Sequence, residues 1–551
     1  MANAQPGSFG SIVGRSSRLS RRSVLKAAGA GMAVAAVASA PRYAPIVRAQ
    51  DIPQGGSLVA GLVAEPTSLD PGFLTDINSM RLVRNIYDGL TGFEPGTFKV
   101  KPLLAKSWDI SQDGLTYTFH LQEGVAFHDG TPFNADAVKF TFDRMLDPNH
   151  PYHDTGPFPF ASFYFGAIGQ TEVVDEHTVT MHLKQTFGPL LNTLAVTCGF
   201  IVSPVAVKKF GKDYGQNPSG TGPFKLTSWD HNERVSLERN PNYFGGAPHL
   251  DNLVFRPIVE EQTRLTELLS GGVNFIVDVP PDNIDQIKSD PTYQFAEQPG
   301  PHVWWVTINT AMKPFDDVRV RQALNYAVNK DAIVSDILKG TGDVAHTAVP
   351  PVIEWAFNAD AAKYPYDVAK AKQLLADAGY LNGFETTFWV TESGSGMQSP
   401  KTMGQAIQAD LQAVGIKTNI EVSEWGAYLA LYNAGMGDKA GLAEMSWMFD
   451  TGDPATVLPL NFMSDGYPPK GFNTGRYTNK QVDQLLTDAG KSLDQEKRGE
   501  MYKEVQKITS EEAPWIFVDN AKQNAAMLAN VQGFQLSPSF LLSFKDTYIK
   551  Q

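Results

Sequence analysis

Residues Pro102–Arg144 read PLLAKSWDISQDGLTYTFHLQEGVAFHDGTPFNADAVKFTFDR. The run divides into a strand, a tight Asp113-Gly114 turn, a second strand, and a Gly-marked loop that leads into a helix. Leu115, Tyr117, Phe119 and Leu121 alternate with polar residues, so one face of the second strand is buried. His128-Asp129-Gly130 marks the loop. A metal site needs three or four donors, and the sequence offers these two no spaced partner, so the reading as a structural turn is preferred. Nothing in the run is a plausible catalytic centre.

Working outward, residues 1–49 read as an export signal. Ser20-Arg21-Arg22-Ser23-Val24-Leu25-Lys26 fits the twin-arginine pattern, with Val24 where Phe is commonest. The apolar run Ala27–Ala40 is too short and too rich in Gly and Ala to span a bilayer. Ala38-Ser39-Ala40 and Val47-Arg48-Ala49 both offer small-residue cleavage sites, the second preferred. A periplasmic location for the mature protein follows from this reading. No cysteine stands after the apolar run to carry a lipid. The single cysteine, Cys198 in LAVTCGFIVSP, allows no intramolecular disulfide and reads as a small buried hydrophobe.

Residues 1–49 hold seven basic residues and no acid, so the remainder carries a formal charge of -20 against -13 for the whole chain. Such an acidic surface argues against nucleic acid and anionic membranes as partners. The mature length exceeds what a single core supports, so two or more domains are expected.

Gly56–Ala64 reads as a first strand, ended by the loop Glu65–Pro71, with a helix at Arg81–Leu90. Strand-rich sequence with short turns continues to about residue 200, including Gln170–Val174 and Thr178–Leu183. Beyond residue 301 strands alternate with amphipathic helices. Val303–Asn309 is a buried strand, Pro314–Asp317 opens a helix, and Asp367 caps another that closes at Gly379. Met403–Val414 is a helix followed by a strand from Ile416, and Asp494 starts a late helix over Gln495–Ser510. Trp515–Asp519 is a strand. This alternation implies an α/β fold with a parallel-rich sheet covered by helices.

The opening run closely resembles a block of the solute-binding proteins that serve ABC importers of peptides, nickel and opines, the family 5 extracellular solute-binding proteins. Ala64-Glu65-Pro66-Thr67-Ser68-Leu69-Asp70-Pro71, Gly220-Thr221-Gly222-Pro223-Phe224 and Asn240-Pro241-Asn242-Tyr243-Phe244 resemble further family elements, in the family order. Gly272 and Asn274 stand where the family has acids. The resemblance implies a two-lobed periplasmic binding protein fold with a hinge and an inserted subdomain in the first lobe. It places the signal at 1–49, the first lobe at 50–90, 215–300 and 521–551, the inserted subdomain at 91–214 and the second lobe at 301–520. The crossing strands would lie near Pro301–Ile308 and Trp515–Asp519.

The chain shows no His-Glu-x-x-His, Gly-x-Ser-x-Gly or Cys-x-x-Cys, so it is not expected to be an enzyme. No metal and no cofactor is expected. What the resemblance implies instead is ligand capture by lobe closure, with an ABC permease and ATPase as partners and a monomeric protein. In peptide-binding members the strand matching Ser446-Trp447-Met448 pairs with the ligand backbone, and the aspartate matching Asp450 holds the α-amino group. A carboxylate in a closing cleft suits an ammonium; the competing reading has Asp450 capping the turn that follows. Asp453 reads as a turn residue.

Lys401 aligns with an arginine that grips the ligand carboxylate in dipeptide binders. Lysine keeps the charge and loses the bidentate fork, and a solvated lysine at a helix start is the competing reading. Trp425, with Tyr428, resembles an aromatic pocket wall or is simply core. Trp304 and Trp305 alternate faces on the hinge strand, one expected toward the cleft and one toward the core. Thr67 and Ser68 lie on the loop that borders the cleft in relatives. A short peptide or peptide-like amino compound is the leading ligand. A nickel chelate, opine or oligosaccharide is the alternative within the class, and a periplasmic hydrolase or peptide chaperone the alternative outside it.

Overall fold

The computed structural model describes residues 52–394 and 397–550; the twin-arginine run and both cleavage sites lie outside the described residues. Trp515–Leu528 organises the rest. It is a 14-residue strand buried almost throughout, as a strand covered on both faces must be. Its first half pairs antiparallel with His302–Ile308, and its second half with Phe275–Val277 and Tyr293–Pro299. One strand therefore belongs to two halves of a sheet. On one side the order runs outward through His302–Ile308, Leu442–Met448, Phe384–Thr391 and Ile416–Ser423. On the other it runs through Phe275–Val277, Ser57–Leu62, Asn252–Pro257, Arg234–Arg239 and Phe224–Asp230.

Period-two alternation sorts the hinge strand His302–Ile308 between two cores. Val303 and Trp305 enter one cluster; Trp304, Val306 and Ile308 enter the other. Helices Trp425–Ala434, Lys480–Lys491 and Gln495–Glu512 cover the first face with Tyr428, Leu486 and Val505. Helices Val318–Ala327, Val368–Asp377 and Pro400–Ala413 cover the second with Leu324, Leu375 and Ile407. Each such side chain contributes about 1.5–3 kcal/mol on burial, and together they make this half a rigid support for its cleft edge.

The opening run supplies two strands of a separate four-stranded antiparallel sheet, in the order Ala105–Ile110, Thr116–Leu121, Thr178–Leu183, Ile168–Asp175. Tyr117, Phe119 and Leu121 are buried, and helix Ala135–Leu146, capped by Asn134, packs on them. Gly114 takes φ +70°, and Asp113 Oδ1 accepts the Ser111 hydroxyl and the Leu115 N–H, which closes the turn. Two of the contacts that hold the subdomain to the rest of the chain are made by long polar side chains. The Arg144 guanidinium forms a buried ion pair with Asp70 and lies over the rings of Phe158 and Tyr214. His128 Nε2 meets the Gly222 carbonyl at 3.0 Å.

Several boundaries differ from the sequence reading; the helix expected at Met403–Val414, for instance, begins at Pro400. The helix expected at Arg81–Leu90 lies at Ile77–Val83, with Asp76 accepting from the Ser79 N–H. The chain then turns so that Asn85 can donate to the carbonyls of Arg81 and Leu542 and accept the Phe544 N–H. The late helix runs to Glu512 and stops at Ala513, which takes φ +49°. The strand expected at Trp515–Asp519 continues to Leu528 because both halves of the sheet use it.

Candidate interlobe binding site

Strand Leu442–Met448 presents two different edges. One pairs with all seven residues of His302–Ile308. The other pairs with Phe384–Thr391 only at Leu442 and Ala443. Past Ala443 the neighbouring strand leaves, because the Thr391 N–H donates to Glu444 Oε1 at 2.6 Å and the Thr391 hydroxyl to the Ser393 carbonyl. The Tyr428 hydroxyl reaches the Glu444 carbonyl. From Glu444 to Met448 this edge carries no strand ladder among the described residues.

The chain leaves this edge through Phe449, whose N–H donates to the Pro301 carbonyl at 2.7 Å, and enters the turn Asp450–Asp453. Asp453 accepts the Ala455 N–H and forms a buried ion pair with Arg498 at 2.6 Å, so it holds the turn. Gly452 takes φ +65°, and a Cβ there would lie 2.2 Å from the Phe98 ring; only glycine admits that approach.

Asp450 is placed differently. Its Oδ2 accepts the Tyr164 hydroxyl at 2.7 Å, a bond between the second lobe and the inserted subdomain. Burial pushes its carboxyl up to about 6, while the Tyr164 hydroxyl and Thr451 N–H hold it down. No Lys, Arg or His among the described residues forms an ion pair with it. Nearby, Asn192 Nδ2 donates to the Thr451 carbonyl at 2.9 Å and the Gly188 N–H to the Gly490 carbonyl at 3.0 Å. The Gly114 turn rests on Leu493. The subdomain and second lobe are thus in contact around Asp450.

The other expected residues scatter. Ser446 is buried, and Trp447 and Met448 are half-buried, with Trp447 packed on Phe472 at 4.8 Å between ring centroids. Trp425 stacks on Tyr428 at 6.0 Å. Lys401 is exposed in the first turn of its helix, and no ion pair joins it among the described residues. The Thr67 hydroxyl donates to Asp76 at 2.8 Å, and Ser68 Oγ accepts the Asp70 N–H at 3.1 Å, so both are engaged within their own loop. Trp304 and Trp305 take opposite faces, but both are buried, at 1% and 0% exposure. Trp305 stacks on Trp515 at 3.9 Å and donates to Thr307, which makes it core.

Tyr164, Asn192, Phe98 and Glu444 were missed by sequence reasoning. The first two lie 286 and 259 positions from their partners, beyond any local pattern. Cys198 is buried, and desolvation with the nearby Asp70 and Asp450 charges pushes its thiol strongly up, so it is held protonated. No helix among the described residues is long and apolar enough to cross a membrane.

The strand Leu442–Met448 thus ends in a carboxyl, Asp450, that meets a tyrosine from a segment 286 positions away. The chain belongs to the bacterial extracellular solute-binding proteins, family 5, whose description matches residues 99–469. Its fold is the two-lobed periplasmic binding protein fold with an inserted subdomain in the first lobe. Among relatives, heme-binding protein A of Haemophilus influenzae is 37% identical over 83% of this chain and 85% of that protein. Glutathione-binding protein GsiB of Salmonella typhi is 35% identical over 94% and 98% of the two chains. The structure of the periplasmic binding protein DppA from Helicobacter pylori in complex with the peptide STSA superposes with a TM-score of 0.78. It is 31% identical and covers 91% of this chain and 99% of that one.

Proposed function

We propose that this protein is the periplasmic solute-binding component of an ABC importer, and that it captures a short peptide or peptide-like amino compound by lobe closure. The observation that carries the reading is Asp450: a carboxyl just past the strand Leu442–Met448, bonded to Tyr164 of the four-stranded subdomain, with no cation paired to it among the described residues. An α-ammonium there forms a charge-assisted hydrogen bond, and the ligand backbone runs along Ser446–Met448. Contacts made to both lobes favour the closed form, which the permease recognises, and the partner ATPase supplies the energy.

The names of two relatives support the ligand class: one is a glutathione-binding protein and the other was solved with a peptide. Trp425, Trp447 and Met448 would wall the site, and the exposed Lys401 would reach the ligand carboxylate as a point charge. The protein would work as a monomer, exported by the twin-arginine signal, and would bind without transforming its ligand. The domain boundaries given above belong to this proposal; the shared strand Trp515–Leu528 supports a lobe change near residue 520.

The test is mass spectrometry of ligand released from denatured protein, joined to thermal shift with free and N-acetylated di- and tripeptides and with glutathione. Free α-amines should raise the unfolding temperature and their N-acetyl forms should not. Equal shifts would remove Asp450 as anchor; a released nickel chelate, opine or oligosaccharide would overturn the peptide reading.

A further inference from the structure

A cavity of about 490 Å³ lies between the hairpin Thr91–Pro102 and the C-terminal segment 533–546. Its lining includes none of Asp450, Trp447, Trp425 and Lys401, so it is separate from the site above. Three cations line it: Arg84, Lys101 and Lys545. Arg84 directly follows helix Ile77–Val83, and Lys101 is the middle residue of strand Val100–Pro102.

Two of these cations lack a close acceptor. The Arg84 side chain is 22% exposed and makes no hydrogen bond among the described residues; it lies over the Phe200 ring at 5.5 Å, with Asp88 standing off at 3.9 Å. Lys101 makes neither a hydrogen bond nor an ion pair among the described residues, and burial with the Arg84 charge pushes its ammonium below the usual value. The carboxylates along the same wall are already engaged. Asp88 accepts the Thr221 and Tyr243 hydroxyls, each at 3.0 Å. Glu94 pairs with Lys99 at 2.9 Å, and Asp546 with Lys545 at 2.7 Å.

Two like charges on one half-buried cavity repel each other, and an anion that meets both relieves the repulsion. The chain as a whole carries a formal charge of -13, so its general field draws in no anion and the local cations must do so. The guanidinium fork fits the paired oxygens of a carboxylate or phosphate, and the ammonium supplies a second charge. The Ser543 hydroxyl, itself without a hydrogen bond among the described residues, adds a neutral donor. Leu103, Leu536 and Leu541 give the cavity an apolar side, and its volume falls in the range of small-molecule sites, about 300–1,000 Å³. We propose that this cavity is a second binding site, and that it takes a small organic anion whose carboxylate or phosphate head is held by Arg84 and Lys101.

The test is titration calorimetry with benzoate, phenyl phosphate and inorganic phosphate, each against sodium chloride of equal ionic strength. At least one should bind saturably, and the two organic anions separate a carboxylate head from a phosphate head. Lys101→Met, which keeps the apolar stem, should weaken that binding roughly tenfold or more, the cost of a hydrogen bond to a charged group. Lys101→Arg should retain it, and Arg84→Lys, which keeps the charge and loses the fork, should weaken it. Urea unfolding checks that the variants fold. Heats that match sodium chloride for all three probes overturn the site and leave the peptide reading standing. Binding that survives both Lys101→Met and Arg84→Lys overturns it too. Binding lost in Lys401→Met instead moves the anion to the site near Asp450 and overturns the second site.

Discussion

Asp450 makes the proposed site pH-sensitive in a direction the structure fixes. Desolvation raises its carboxyl to about 6, while an α-ammonium, with an ordinary value near 7.7–8.0, stays charged at and below neutrality. The ligand therefore meets a carboxylate that is about nine-tenths ionised at pH 7 and about one-tenth ionised at pH 5, and affinity should fall about tenfold between them. The sign follows from linkage. The ammonium stabilises the ionised form, so the value drops in the complex; binding is complete above about 6 and is lost as pH falls through it.

Asp450→Asn should flatten this profile and weaken binding by roughly 2–5 kcal/mol, the cost of stripping one partner from a buried charge pair. Titration calorimetry with a dipeptide of neutral side chains, in wild type and variant at pH 7, 6 and 5, gives both quantities. A wild-type affinity that is flat over this range, or an Asn variant that binds as tightly, would refute the anchor.

Two further predictions concern the frame around it. Arg498 donates to Asp453 at 2.6 Å and to the Ala489 carbonyl at 2.9 Å, both deep in the second lobe. Arg498→Met leaves the Asp453 carboxylate buried and unpaired and should cost about 3–5 kcal/mol in urea unfolding; a loss below about 1 kcal/mol would contradict the ion pair. Asn192→Ala deletes an interlobe hydrogen bond to the Thr451 carbonyl, so ligand affinity should drop about two- to tenfold, matching about 0.5–1.5 kcal/mol. Unchanged affinity would mean that this contact is not confined to the closed form.

The frame was legible wherever structure is local. The alternation of Tyr117, Phe119 and Leu121, the Asp113-Gly114 turn and the Asp367 and Asp494 caps are each set by residues within a few positions, and the structure forms all of them. Boundaries moved where a distant partner intervened, as when Asn85 ties its turn to Leu542 and Phe544. Glu444 reads in sequence as an acid within an apolar strand, and nothing local says that Oε1 will hold the end of another strand.

By itself the sequence determined the α/β class, the elements and the resemblance to solute-binding proteins, because periodicity, turn chemistry and family motifs are written in neighbouring residues. Only the tertiary structure decided what each candidate touches. It put Trp305 against Trp515, gave Asp453 to Arg498, and brought Tyr164 across 286 positions to Asp450. It also buried Glu444 on strand Leu442–Met448 with its Oε1 on the Thr391 N–H. The physical reason is that desolvation and hydrogen-bond satisfaction belong to a folded neighbourhood, and that neighbourhood is assembled from chain segments hundreds of residues apart.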